Sequence, residues 1–166
     1  AVAALARRGA AGDDSPEVDA RAREALARVR RDGDGALVEL ARELDGAELG
    51  RVVVPPGEVE AALARTPTKV RKALELAAKR IRVFARRQRR SLREFEMTRA
   101  GVTLGQRVIP LARAGVYVPG GRYPLPSTAL MGVIPALAAG VESVVVASPP
   151  SREAGQPPDV VLAACS

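Results

Sequence analysis

The run Tyr117-Val118-Pro119-Gly120-Gly121-Arg122-Tyr123-Pro124-Leu125-Pro126-Ser127 holds the residue types most able to do chemistry in this sequence. A compact apolar strand, Gly115–Val118, leads into it, and an apolar helix follows. Ligands of open α/β sheets bind at such a place, the carboxyl end of a strand. Pro119 has no N–H for a ladder and ends the strand. Gly120 and Gly121 let the backbone turn and come close to a ligand. Ser127 is expected to cap the helix, whose free amides and positive dipole end suit an anion such as a pyrophosphate. The glycines do not follow the Gly-x-Gly-x-x-Gly order, so the ordinary dinucleotide fingerprint is absent. Read from these residues alone, the run is either a nucleotide site or a Pro/Gly-rich connection packed for structural reasons.

Composition narrows the chemistry further. The 166 residues include no His, no Trp and a single Cys. Without imidazole there is no Ser-His or Cys-His nucleophile pair. One Cys and no His cannot build a His/Cys zinc site, nor an internal disulfide. No catalytic residue and no metal ligand is therefore assigned within this chain. Hydrophobic residues make up 47% and no apolar run approaches membrane-spanning length, so a folded domain with an aliphatic core is expected, with no membrane partner. The start, AVAALARRGAAGDD, has neither a basic opening nor a long apolar centre. A cytoplasmic location is the expectation by elimination.

The net charge of +7 is local. Residues 65–99 carry thirteen basic and three acidic groups, whereas residues 1–64 carry nine basic and thirteen acidic. The basic stretch coincides with the longest expected helix, from Thr66-Pro67 to about residue 95. Val70, Leu74, Ala77, Ile81, Phe84 and Gln88 are expected along its covered face. Its arginines open a rival reading, a nucleic-acid-binding module on the basic helix 67–95. Against that stand the missing nucleic-acid motifs and the near absence of stacking aromatics. A solvated face, or one meeting an acidic partner surface, accounts for the charge better, and no nucleic acid is expected.

The elements that must position the Tyr117–Ser127 run follow from periodicity and punctuation. Asp14-Ser15-Pro16-Glu17 reads as a helix start, with Val18, Ala22, Ala25, Leu26 and Val29 as one buried stripe. Asp32-Gly33-Asp34-Gly35 interrupts it, Asp34 caps a second helix, and Asp45-Gly46 stops that one. Val52–Val54 is expected as a short strand and Glu58–Ala64 as a short helix. A small hairpin is expected to pair Val102–Leu104 with Arg107–Ile109 around Gly105-Gln106. Residues 115–147 then spell strand, loop, helix, strand, a βαβ unit in which Gly140 ends the helix and Ser143–Ala147 is the second strand. Asp159 begins a further helix. The fold class is α/β: N-terminal helices lead into an incomplete Rossmann-like parallel sheet begun by a βαβ unit. Two parallel strands make no stable sheet alone, so the chain reads as the first portion of a longer protein. The expected division is a helical region 1–113, with short strands and the basic helix, and the start of a Rossmann-like domain at 114–166.

Specific words in this sequence resemble the histidinol dehydrogenase family. They are Gly115-Val-Tyr-Val-Pro-Gly-Gly121, Pro124-Leu-Pro-Ser-Thr-Ala-Leu-Met131, Ile134-Pro-Ala-Leu-Ala-Ala-Gly140 and Val144-Val-Val-Ala-Ser-Pro-Pro150. Upstream, Val29-Arg-Arg-Asp-Gly-Asp34, Ile81-Arg-Val-Phe84 with Gln88, and Gly105-Gln-Arg-Val-Ile-Pro-Leu111 agree in order and spacing. The resemblance implies NAD-dependent oxidation of L-histidinol to L-histidine, in histidine biosynthesis, by a homodimer whose zinc ion holds the substrate. It matches Tyr117 to a tyrosine that contacts NAD, Pro119, Gly120 and Gly121 to the loop beside it, and Pro149 to a neighbouring strand-end loop. The family's zinc ligands and catalytic Glu-His pair match no position here, so this chain alone is expected to be inactive. Leu44 replaces an aromatic usual before Asp-Gly, and Ala85 a His usual after the Phe. A truncated, non-catalytic interaction protein is the other alternative.

Overall fold

A computed structural model describes residues 16–120 and 123–166. The chain divides into two compact units, Ala1–Val52 and Val53–Ser166. In the described part of the first, helix α1 (Pro16–Asp32) is followed by α2 (Asp34–Leu40), which runs into a wider π-type turn, Ala41–Asp45. The expected punctuation holds. Gly33 and Gly46 take positive φ of 60° and 63°, a conformation cheap only for glycine, at the two breaks. Arg28 of α1 joins Glu39 and Glu43 at 2.8–3.1 Å and so ties α1 to α2 and the turn. Two expectations fail. Asp34 is the first helical residue behind Gly33 and its side chain makes no cap bond. The α1 stripe is not buried among the described residues: Val18 and Leu26 are 55% and 58% exposed. Periodicity says which face is apolar, and only a neighbouring element can cover it. Asp14 and Ser15, read as part of the α1 start, lie outside the described residues.

The second unit opens with α3 (Pro56–Arg65) and the long α4 (Thr68–Ser91). Val52–Val54 forms no strand: Val53 is exposed and no strand pairs with the segment among the described residues. Helix α4 ends four residues before the expected residue 95. Its covered face runs through Val70, Leu74, Ala77, Ala78, Ile81 and Ala85, whereas Phe84 and Gln88 are exposed. Ala85 is 5% exposed and Phe84 65%. The physical reason is the neighbour: α4 packs along an apolar helix, and close approach of two helices favours a small side chain at the contact.

The hairpin lies earlier than expected. Strands β1 (Phe95–Arg99) and β2 (Val102–Gln106) are antiparallel, and Ala100-Gly101 makes the two-residue turn. Both turn residues have positive φ, 51° and 79°, as the type I′ turn demands. Gly105 is therefore a strand residue rather than a turn residue. A Cβ there would sit 2.7 Å from the Phe95 carbonyl oxygen, so the close backbone requires glycine without any turn.

The βαβ unit forms in the order expected, with its first strand at Arg113–Tyr117 rather than Gly115–Val118. Strands β3 (Arg113–Tyr117) and β4 (Ser143–Ala147) are parallel, pairing Arg113 with Ser143 through Tyr117 with Ala147. Between them runs α5 (Pro126–Ala138), ended at Gly140 with φ 95°. Gly132 of α5 sits directly on Val116 of β3. The short α6 (Asp159–Ala163) completes the chain. Val118, Ala129 of α5 and Val161 of α6 form a buried cluster, with Val116, Val146 and Val160 against it. The architecture is thus mixed helix and strand, with a two-stranded parallel sheet and a separate two-stranded antiparallel hairpin.

Candidate functional site

The carboxyl edge of β3 and β4 is where the Tyr117–Ser127 run begins, and side-chain alternation decides what each residue there does. Ala114 and Val116 face α5, while Arg113, Gly115 and Tyr117 take the other face and are exposed. Tyr117 is 65% exposed, a large aromatic at the end of a strand with its ring open to a ligand. The next residue, Val118, is fully buried in the cluster beneath the site, and its N–H donates to the Ala147 carbonyl at 2.8 Å. That bond carries the ladder one residue past β3 and holds the two strand ends level. Pro119 then ends the pairing, as its missing N–H requires.

Gly120 brings the two strand-end loops together. A Cβ on Gly120 would lie 3.2 Å from both Cβ and Cγ of Pro149, so the backbone of one loop rests on the proline ring of the other. Pro119, Gly120 and Pro149, far apart in sequence, thus share one half-buried edge. Gly121 and Arg122 lie outside the described residues. Ser127 does not cap α5. Leu125 is the N-cap residue, Pro126 opens the helix, and no side chain bonds its first turn. Proline suits that position because its N–H would be orphaned there anyway. In that first turn Pro126 has no N–H and Thr128 N–H already donates to the Leu125 carbonyl at 3.0 Å, so little of it is open to an anion.

No motif in the sequence singles out Ser148. It is the first residue after β4, and its Oγ is buried without a hydrogen-bond partner among the described residues. Its position immediately before Pro149 at a strand end was the available signal. The loop beyond is organised by Ser151, whose N–H donates to the Gln156 carbonyl and whose Oγ accepts from Ala154 N–H.

A paired charge ties α3 to α6. Arg65 at the end of α3 makes two 2.8 Å bonds to the carboxylate of Asp159, the first residue of α6. The Arg65 guanidinium holds the Asp159 carboxyl below the usual carboxylate range. A depressed folded-state pKa means the contribution is present above the unfolded value and lost as pH falls through the folded one. Asp159→Asn is therefore expected to lower stability slightly near neutral pH, the pair being partly exposed. In urea titrations, the gap between the two proteins should close as pH drops below the ordinary Asp value of 3.8. A gap that persists in acid would mean the carboxylate is not its source.

Elsewhere, Arg82 and Arg86 of α4 line a shallow groove with Ile134, Leu137 and Ala138 of α5. These α5 residues lie at its carboxyl end, away from the first turn beside the strand-end loops. The structure therefore does not bring the basic face of α4 to the candidate site. Among the described residues no group of three His, Cys, Asp or Glu stands where it could hold a metal. Nor is any helix among them long and apolar enough to cross a membrane.

A βαβ unit whose two strand-end loops meet at its carboxyl edge makes this a protein of mixed helix and strand with its loops gathered where open α/β sheets hold ligands. Similarity to known proteins makes the family definite. A family model for histidinol dehydrogenase matches residues 8–166, and the chain belongs to that family. It is 44% identical over 147 residues to the histidinol dehydrogenase of Aquifex aeolicus, which covers 87% of this chain and 34% of that protein. Identity to the Pseudomonas aeruginosa enzyme is 42% over 156 residues, 92% of this chain and 34% of that one. The crystal structure of histidinol dehydrogenase from Elizabethkingia anophelis superposes with a TM-score of 0.76 at 30% identity, covering 85% of this chain and 32% of that one. The chain spans about a third of the length of the relatives it matches.

Proposed function

We propose that this chain forms the cofactor side of a histidinol dehydrogenase, with NAD bound at the carboxyl edge of β3 and β4. On this reading residues 114–166 are the beginning of a Rossmann-like domain, and the whole enzyme is a cytoplasmic homodimer that oxidises L-histidinol to L-histidine. The observation that carries it is the seating of Gly120 on Pro149, which joins two strand-end loops beside the exposed Tyr117. The residues present fit a dinucleotide. Gly120 offers bare backbone at a half-buried edge that Pro119 and Pro149 frame. Tyr117 supplies an aromatic face, Pro119, Gly120 and Gly121 the loop beside it, and Pro149 the opposing wall. When bound, NAD supplies the hydride acceptor. The role of these residues is to hold and orient it and to keep water from its covered side. A zinc ion does not fit the described residues, so no step here runs through one.

The test is titration of NADH fluorescence with the chain. Tyr117→Ala should weaken NADH binding about tenfold, the equivalent of ~1.4 kcal/mol. It should leave the unfolding midpoint near that of the wild type, because Tyr117 lies outside the buried cluster. Failure of the wild-type chain to bind NADH at millimolar concentration, or a Tyr117→Ala affinity equal to the wild type, would sink the cofactor reading.

A further inference from the structure

The groove between α4 and the carboxyl half of α5 plays no part in the cofactor reading. Its wall is Arg82 and Arg86, one turn apart on α4, and its floor is Ile134, Leu137 and Ala138. Helix α4 carries ten cations and a single acid, Glu75. None of those cations makes an ion pair among the described residues, although Arg23, Arg28, Arg31, Arg42 and Arg65 elsewhere each meet a carboxylate. Helix α5 brings no charged side chain to neutralise them. Like charges one turn apart on a helix repel, and an anion between Arg82 and Arg86 would relieve that repulsion. The floor needs something different, since Leu137 is 53% exposed beside the buried Ile134. An occupant that satisfies both must present carboxylates and a large apolar side chain on one face.

Size and chemistry decide its kind. The groove holds about 260 Å³, below the ~300–1,000 Å³ of small-molecule sites, which are also more enclosed. A phosphate backbone would be drawn to the arginines but would gain nothing from an apolar floor. We infer that the groove is a docking site for an acidic helical segment of a partner protein. The segment drops one apolar side chain onto Ile134 and Leu137 and sets carboxylates against Arg82 and Arg86. Amphipathic helices dock in grooves in this manner, the apolar anchor giving affinity and the flanking charges fixing register.

The probe is a fluorescein-labelled synthetic helix of leucine and glutamate with a single apolar face. It is titrated with the 166-residue chain at physiological salt and followed by anisotropy, with poly-L-glutamate and a short DNA duplex as competitors. Wild type is compared with Leu137→Ser, with Arg82→Glu/Arg86→Glu, and with Arg99→Glu/Arg107→Glu, which makes the same charge change at the hairpin. All five side chains are exposed, so the unfolding midpoints should match that of the wild type. Leu137→Ser should weaken the helix about tenfold, the loss of an apolar anchor, and leave the weaker poly-L-glutamate binding unchanged. Arg82→Glu/Arg86→Glu should weaken both about tenfold or more, and the hairpin variant neither by more than about twofold. No binding by the wild type would overturn the inference. Equal losses in the two double variants would reduce the effect to net charge and overturn it as well. A duplex that displaces the helix, with an affinity Leu137→Ser leaves intact, would make the surface a phosphate binder instead. A wild-type dimer that Leu137→Ser splits in sedimentation would put a second copy in the groove and overturn the assigned partner. The cofactor reading is decided separately, by the NADH titration.

Discussion

Given L-histidinol, NAD and zinc, the 166-residue chain is expected to form no NADH above background. The composition is the reason. Alcohol and aldehyde oxidation need a base for the substrate proton and an electrophile or metal for the developing oxyanion. With no His, the base must be a carboxylate, Lys, Tyr or Cys, and the described carboxylates form no cluster. Asp159, the first residue of α6, is locked to Arg65 and is a weaker base for it. Rates fall tenfold for each ~1.4 kcal/mol of lost transition-state stabilisation, so loss of both functions takes turnover below detection. The check is absorbance of NADH at saturating substrate, with and without added zinc. Robust turnover would overturn the expectation that these 166 residues lack the base and the oxyanion acceptor.

Gly132→Ala is expected to destabilise the chain, although alanine is the better helix former. In an exposed helix the change would stabilise by about 1 kcal/mol. Here the added Cβ would lie 2.5 Å from Cγ1, 3.0 Å from Cγ2 and 3.3 Å from Cβ of Val116. Valine is stiff at χ1 and cannot swing aside, so either α5 lifts from β3 or the strand shifts. Overpacking of this kind costs about 1–3 kcal/mol, which outweighs the propensity gain. The diagnostic is a double-mutant cycle. In a Val116→Ala background the methyl has room, and Gly132→Ala should become neutral or stabilising. Urea unfolding of the four proteins decides it. A Gly132→Ala protein as stable as the wild type, in the native background, would show that α5 and β3 do not meet as closely as this. The consequence reaches the site, because α5 carries Pro126 and β3 carries Tyr117.

Local signals in the sequence reached far. Strand β4 falls on Ser143–Ala147 as read, and the breaks at Gly33, Gly46 and Gly140 are all positive-φ glycines. Each rests on chemistry confined to a few residues: β-branched runs, and backbone angles that only glycine adopts cheaply. The misplaced hairpin shows the limit. Gly101 and Gly105 are equally good turn glycines by composition, and the pairing of Phe95–Arg99 with Val102–Gln106 selects the first. Ser127 likewise has the right type for a cap, yet the helix begins at Pro126 and leaves its hydroxyl without that job.

By itself the sequence determined the family, the βαβ order and the exclusion of histidine chemistry, because these depend on residue types and their spacing. Only the tertiary structure decided which faces are covered. Ala85 rather than Phe84 is covered against α5, Val18 and Leu26 of α1 are exposed among the described residues, and Gly120 comes to rest on Pro149. Those outcomes depend on how closely one element approaches another. Approach is set by side-chain volumes on two separate segments, and neither segment carries that information alone.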